Sequence, residues 1–213
     1  MAFAITPLDI TQVFHENSRM PLSLRDRFLN VPNYITFGRL LAVPILMVVM
    51  LWMEGPAMSY TAASIFILAM ISDMIDGYYA RKYKIISTFG QFFDPLADKL
   101  LFLVAMIFLV ELGRIPAWIV CIFLSREVIV TALRGVAIDE GIIIAASHWG
   151  KYKSALVSTT TIGLLIHYPL FGIEWRLVAW VFVWPALIFS LASGIHYTAR
   201  FVQELKKRDR LKR

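Results

Sequence analysis

The apolar residues of this chain fall in six long runs parted by short polar breaks, at about residues 33–54, 57–82, 89–112, 115–138, 149–170 and 174–201. A helix needs about 20 predominantly apolar residues to cross the hydrocarbon core of a bilayer. Pro32, Pro56, Pro116 and the Gly113 region punctuate the runs, as do Gly141 and the stretch from Pro169 to Gly172. The pattern predicts an all-α integral membrane protein with six transmembrane helices. Ahead of the first run, Leu22, Leu24, Phe28 and Leu29 stand among Arg25, Asp26 and Arg27. That mixture predicts a short amphipathic helix lying on the membrane surface. Residues 1–31 are then an N-terminal extension and juxtamembrane surface helix, 32–201 the six-helix domain, and 202–213 a basic cytoplasmic tail. The first 30 residues hold no apolar core of the length that a cleavable signal peptide needs, so none is expected.

Composition agrees with the pattern. The chain is 59% hydrophobic and 17% charged, with a mean hydropathy of +0.68, where a soluble domain carries about 25% charged residues. Its single cysteine, Cys121, lies inside an apolar run, which excludes a disulfide framework. A net charge of +6 would suit nucleic acid. The basic residues, however, cluster at the ends of the apolar runs, where a membrane surface accounts for them, and no nucleic-acid partner is expected. Fifteen Lys and Arg fall on one side of the six spans and only Arg114 and Arg176 on the other. The excess of positive charge on the cytoplasmic side of membrane proteins then puts both termini in the cytoplasm.

Four basic residues and four aspartates stand out inside the runs: Arg39, Lys99, Arg126, Arg134, Asp73, Asp76, Asp94 and Asp98. Each costs about 2.5–3.5 kcal/mol at a helix centre on insertion scales, so they need partners or a task. Internal salt bridges are one account. The spacing of the aspartates supports another. At about 100° per residue, Asp73, Asp76, Gly77, Ala80 and Arg81 share an arc of about 140°, and Gly90, Asp94 and Asp98 one of about 80°. If the two helices are antiparallel and fold near residue 85, Asp76 comes level with Asp94 and Asp73 with Asp98. Four ionised carboxylates cannot gather in a low dielectric without cations. Oxygen-only ligands select hard ions, so Mg²⁺ or Mn²⁺ is expected, two ions suiting four carboxylates. Gly77 and Ala80 open the helix backbone to a ligand, and Arg81 at the rim can hold a phosphate oxygen. Such a site fits phosphoryl transfer. A cation transporter is the rival from another class, since intramembrane aspartates could line an ion path.

The pattern Asp73-x-x-Asp76-Gly77-x-x-Ala80-Arg81, eight residues, Gly90-x-x-x-Asp94-x-x-x-Asp98 resembles the signature of the CDP-alcohol phosphotransferase family. It matches at every signature position, and the resemblance runs from about Pro32 onward. It implies that an alcohol attacks the β-phosphorus of a CDP-linked lipid and that CMP leaves. It also implies that Asp73, Asp76 and Asp94 bind metal, and that Asp98 binds the second metal or acts as the catalytic base. Asn33, Thr36, Arg39, Gly77, Ala80, Arg81 and Ser87, with Asp73 and Asp76, would line the CDP site. A homodimer in the inner (cytoplasmic) membrane, with its active site facing the cytoplasm, is expected on the same ground.

The remaining cations bear on the acceptor. Arg126 and Arg134 lie eight apart on the fourth span, within about 80° of one another, and Lys151 opens the fifth. Either these cations pair with nearby acids such as Glu127 or Asp139, or they await a phosphorylated acceptor. The stretches Asn33–Arg39, Ser125–Arg134 and Gly150–Ser154 resemble the branch of the family whose acceptor is sn-glycerol 3-phosphate. CDP-diacylglycerol, sn-glycerol 3-phosphate and membrane lipid are the expected partners; inositol phosphate or phosphatidylglycerol is the alternative acceptor.

Overall fold

The computed structural model describes residues 31–52, 54–83, 88–142 and 148–211. The described residues form six helices: α1 Val31–Leu51, α2 Gly55–Tyr83, α3 Thr88–Glu111, α4 Ala117–Asp139, α5 His148–Ile166 and α6 Trp175–Leu211. Each coincides with one apolar run. The surface helix expected before Val31 lies outside the described residues.

Local chemistry explains where the helices stop. Gly113 takes a φ of +66° and Gly141 of +63°, the left-handed conformation that costs glycine no steric penalty. At both ends the next two N–H groups fold back on the last turn: Gly113 onto Val110 and Arg114 onto Leu109, Gly141 onto Ile138 and Ile142 onto Ala137. The α5 helix ends at Ile166, short of its apolar run, because His167 turns to a φ of +57° just before Pro169. The α6 helix does the opposite and continues through the basic tail to Leu211. No Gly or Pro interrupts residues 202–211, Lys207 pairs with Glu204 at 2.6 Å, and Arg208 and Arg210 suit the negative end of the helix dipole.

The helices pair as α5 with α6, α1 with both α2 and α3, α2 with α5, and α4 with α6. Among the described glycines, Gly163 has the least room: an added Cβ there would lie 2.9 Å from the Cβ of Ala179. Leu46, Phe66, Met106, Leu109, Phe123 and Leu164 fill the centre. Buried among them are polar residues, Arg39, Ser59, Thr160, Ser190 and Ser193, while Leu41, Leu68, Val181, Ile188 and Ile195 face outward. Among the described residues, Gly55–Ile75 and Trp175–Arg208 are long and apolar enough on their own to cross a membrane. The α4 helix falls short by that measure because every membrane-length stretch of it contains Arg126, Glu127 and Arg134.

Opposite the cluster of basic loops, Arg114 is buried and fastens three segments. Its guanidinium donates to the carbonyls of Leu164 and Leu165, at 3.1 and 2.8 Å, and to Ser59 Oγ at 2.8 Å. A cation thus caps the C-terminal end of α5, where the helix dipole favours positive charge.

Candidate active site

The two aspartate-bearing helices carry Asp73 on α2 and Asp98 on α3, each roughly ten residues from the connection between them. Asp98 lies within electrostatic reach of Asp73 and of Arg39. Because α1 packs on both α2 and α3, it can insert a side chain between them, and Arg39 is that side chain. It is 2% exposed, and its Nη1 lies 2.7 Å from Asp73 Oδ1. A cation buried this deeply is tolerable only when paired. The Asp73 side chain is half exposed, so the carboxylate remains open on its other side.

A second, cationic cluster adjoins the first. Lys99, one residue beyond Asp98, donates to Thr131 Oγ1 on α4 at 2.6 Å. Lys153 on α5 is 8% exposed and within electrostatic reach of Asp98, Lys99 and Arg126. Its ammonium pairs with Glu127 Oε1. The same oxygen accepts from Arg126 Nη1 at 3.0 Å, and Arg126 Nη2 donates to Ser193 Oγ on α6 at 2.9 Å. Gly194 makes room for this, since a Cβ there would lie 3.1 Å from Arg126 Cγ. Arg134 is exposed and within electrostatic reach of Lys99 and Arg126. Every one of the six helices therefore places a polar or charged side chain in one region of the bundle.

The structure brings together Arg39, Asp73 and Asp98, and beside them Arg126 and Arg134. Asp76, Gly77, Ala80 and Arg81 follow Asp73 along α2, Asp94 stands one turn before Asp98 on α3, Asn33 and Thr36 open α1, and Lys151 opens α5. For these the helix register is described; their side chains, and Ser87 altogether, lie outside the described residues. Among the described residues no group of three or more His, Cys, Asp or Glu side chains could hold a metal ion. Asp73 and Asp98 are two carboxylates in mutual reach, and register places Asp76 and Asp94 one turn from each. That all-oxygen donor set fits a hard divalent cation.

Sequence reasoning missed Lys153, Ser193 and Gly194 as parts of the site, and met Glu127 only as a possible partner for the cations. Lys153 counts among the loop cations in the sequence, and it lies about 200° around the helix from Lys151. Gly194 and Ser193 are small residues within an apolar run, and nothing along the sequence marks them for chemistry. A shallow groove of about 820 Å³ runs between α4 and α6, lined by apolar side chains such as Ile122, Ile129, Leu191 and Ile195, and it reaches Arg126 and Gly194.

With that geometry in hand, residues 29–192 match the model of the CDP-alcohol phosphatidyltransferase family. The chain belongs to that family. Among CDP-alcohol phosphatidyltransferases it is similar to the CDP-diacylglycerol–glycerol-3-phosphate 3-phosphatidyltransferase of Bacillus subtilis, with 38% identity over 192 residues, covering 83% of this chain and 97% of the relative. A probable phosphatidylglycerophosphate synthase of Mycobacterium tuberculosis is 36% identical over 183 residues, covering 85% and 86%. A CDP-diacylglycerol–glycerol-3-phosphate 3-phosphatidyltransferase of Haemophilus influenzae is 32% identical over 173 residues, covering 79% and 91%. All the residues of the two charge clusters except Ser193 and Gly194 lie within the stretch matched by the CDP-alcohol phosphatidyltransferase model.

Proposed function

We propose that this chain transfers the phosphatidyl group of CDP-diacylglycerol to sn-glycerol 3-phosphate, giving phosphatidylglycerophosphate and CMP. The observation that carries the proposal is the adjacency of two unlike clusters. Carboxylates on α2 and α3, suited to hard cations, stand beside the buried cations Arg126 and Lys153, suited to a phosphate. A transferase joining a nucleotide-linked lipid to a phosphorylated alcohol needs both, side by side. The printed names of the relatives in B. subtilis, M. tuberculosis and H. influenzae support the same substrates.

In this reading Asp73, Asp76, Asp94 and Asp98 hold two divalent ions, Mg²⁺ or Mn²⁺. Such ions, when bound, would neutralise charge on the diphosphate of the donor. The chain's own residues do the rest. Arg39 orients Asp73 through its ion pair. Gly77 and Ala80 leave the α2 backbone open to the cytidine, and Arg81 meets a phosphate oxygen at the rim. Arg126, Arg134, Lys151 and Lys153 take the phosphate of the acceptor and fix its distance from the donor, which converts a bimolecular encounter into a positioned one. The primary hydroxyl oxygen of the acceptor then bonds to the β-phosphorus, the bond from that phosphorus to the CMP oxygen breaks, and Asp98 accepts the hydroxyl proton through an oxygen free of metal.

The same reading makes the chain a six-span protein of the cytoplasmic membrane, working as a homodimer with the site facing the cytoplasm. Its inside-out distribution of polar and apolar residues supports the embedding. The groove between α4 and α6 offers a route by which lipid chains could reach the site sideways.

The test is CMP release by the purified chain given CDP-diacylglycerol and Mg²⁺, with and without glycerol 3-phosphate, the lipid product being identified by mass. Release that depends on glycerol 3-phosphate, with a lipid of the matching mass, is expected. Release with a different alcohol alone would move the acceptor. Cation flux in liposomes without nucleotide turnover would replace the proposal by a transporter.

A further inference from the structure

The contact between Glu127 and its two cations is unusual in its arrangement. Adjacent residues on a helix do not face each other, yet Arg126 bends round to its neighbour Glu127. The carboxylate oxygen that receives it, Oε1, also receives Lys153 from α5. Among the described residues α4 packs chiefly on α6 and to a lesser degree on α3, so α5 and α4 meet here through side chains rather than backbone. Arg126 is tied at the other end to Ser193 on α6, with its stem against Gly194. All three charged side chains are largely buried: Arg126 is 13% exposed, Lys153 10% and Glu127 22%. Two cations in such surroundings repel, and each would turn elsewhere without an anion between them.

We propose that Glu127 is a positioning residue: its carboxylate holds Arg126 and Lys153 together as one anion-binding pair and so sets the affinity for the acceptor phosphate. This rests on the transferase reading above. Ordinary charge balance would be served by an acid near either cation. Sharing a single oxygen does more, because it fixes the two donors relative to each other across two helices. Ser193 completes the arrangement by fixing the second Arg126 nitrogen, leaving the pair few alternative rotamers. Oriented donors bind a phosphate without losing the entropy of gathering themselves.

The experiment uses the full-length chain, purified in detergent, with CDP-diacylglycerol, Mg²⁺ and glycerol 3-phosphate, and measures KM for each substrate separately. Glu127→Gln removes the charge and keeps the size. It is expected to raise KM for glycerol 3-phosphate at least tenfold while KM for CDP-diacylglycerol stays within twofold; Glu127→Asp should recover part of the loss. Ser193→Ala, which changes no charge, should raise the acceptor KM two- to fivefold. An unchanged acceptor KM in Glu127→Gln, or an equal rise for both substrates, overturns the proposal. If Glu127→Gln yields no folded protein, Glu127→Asp and Ser193→Ala carry the comparison, and an acceptor KM unmoved in both overturns it. Failure of the underlying reading has a different sign: the unaltered chain would turn over only with a neutral alcohol, which overturns the acceptor and the Glu127 role together.

Discussion

Arg39 reaches Asp73 from a position almost wholly closed to solvent, so this ion pair shapes the acidic site before any substrate arrives. Replacing Arg39 by Met keeps the stem and removes the charge. Asp73 would then lose its orientation and gain like-charge repulsion from Asp98. Breaking a charge pair whose cation is buried costs about 2–5 kcal/mol, so the expected fall in CMP release is at least about thirtyfold. Activity within threefold of the unaltered chain would remove Arg39 from the site. A companion test addresses the metal. Chelation should stop CMP release, and Mg²⁺ or Mn²⁺ should restore it. Asp94→Asn should stay folded, by size and thermal unfolding, yet remain below about 1% activity at any metal concentration, the loss expected when a transition-state interaction of roughly 3 kcal/mol is removed. The approach of Asp73 and Asp98 was legible in the sequence because its geometry is local: two helices, a fixed turn per residue and a short connection. Lys153 and Glu127 were not legible as a pair. They stand 26 residues apart on helices that barely touch, and no periodicity along one helix reveals a partner on another.

At the scale of the helices, two glycines that look alike in sequence do different work. A Cβ on Gly163 would meet the Cβ and Cα of Ala179, at 2.9 and 3.2 Å. Backbone cannot move aside, so α5 and α6 must part. Gly163→Ala should therefore destabilise the fold by about 1–3 kcal/mol, read as a lower Tm in detergent with substrate KM values little changed. Gly194→Ala meets only Arg126 Cγ, at 3.1 Å, which is a flexible stem. That variant should leave Tm nearly unmoved and raise the acceptor KM a few-fold, because the displaced stem carries the guanidinium with it. Equal effects of the two on Tm would contradict this division. The positions of the helices themselves were legible: all six coincide with apolar runs, since hydrophobicity and the glycine stops at Gly113 and Gly141 are written locally. The ends differ most at α5, which stops at Ile166 before its run is over, and at α6, which continues through the basic tail to Leu211. Apolar runs mark where a helix enters lipid, not where it ends, and residues 202–211 keep the helical conformation through propensity, the Glu204–Lys207 pair, Leu205 packed beside Ala137 and Ile142, and Arg208 reaching Glu140.

At the scale of the whole molecule, the two charge clusters share a depth. Asp73 is roughly ten residues from the end of α2, Asp98 as far from the start of α3, Glu127 roughly twelve from the end of α4, and Lys153 roughly five from the start of α5. At about 1.5 Å per residue, all lie about 8–18 Å from the ends that carry the basic loops. That is the side on which fifteen of the Lys and Arg fall, against two on the other. Translocating Lys and Arg is disfavoured, so this side should be cytoplasmic, which is also where a water-soluble phosphorylated acceptor and CMP must come and go. The arrangement can be read by labelling. In a Cys121→Ser background that retains CMP release, single cysteines replace four exposed polar residues in turn: Glu111, Asp139, Glu174 and Lys206. A membrane-impermeant maleimide applied to intact cells should reach Glu111→Cys and Glu174→Cys. It should reach Asp139→Cys and Lys206→Cys only after the membrane is opened. The alternation matters more than any single site, because each change of side requires a crossing by the helix or helices between consecutive probes. Labelling of both Glu111→Cys and Asp139→Cys from outside would mean that α4 does not cross. A fully reversed pattern would keep the crossings, place the charge clusters on the far side from cytoplasmic nucleotide, and so remove the proposed acceptor along with the orientation.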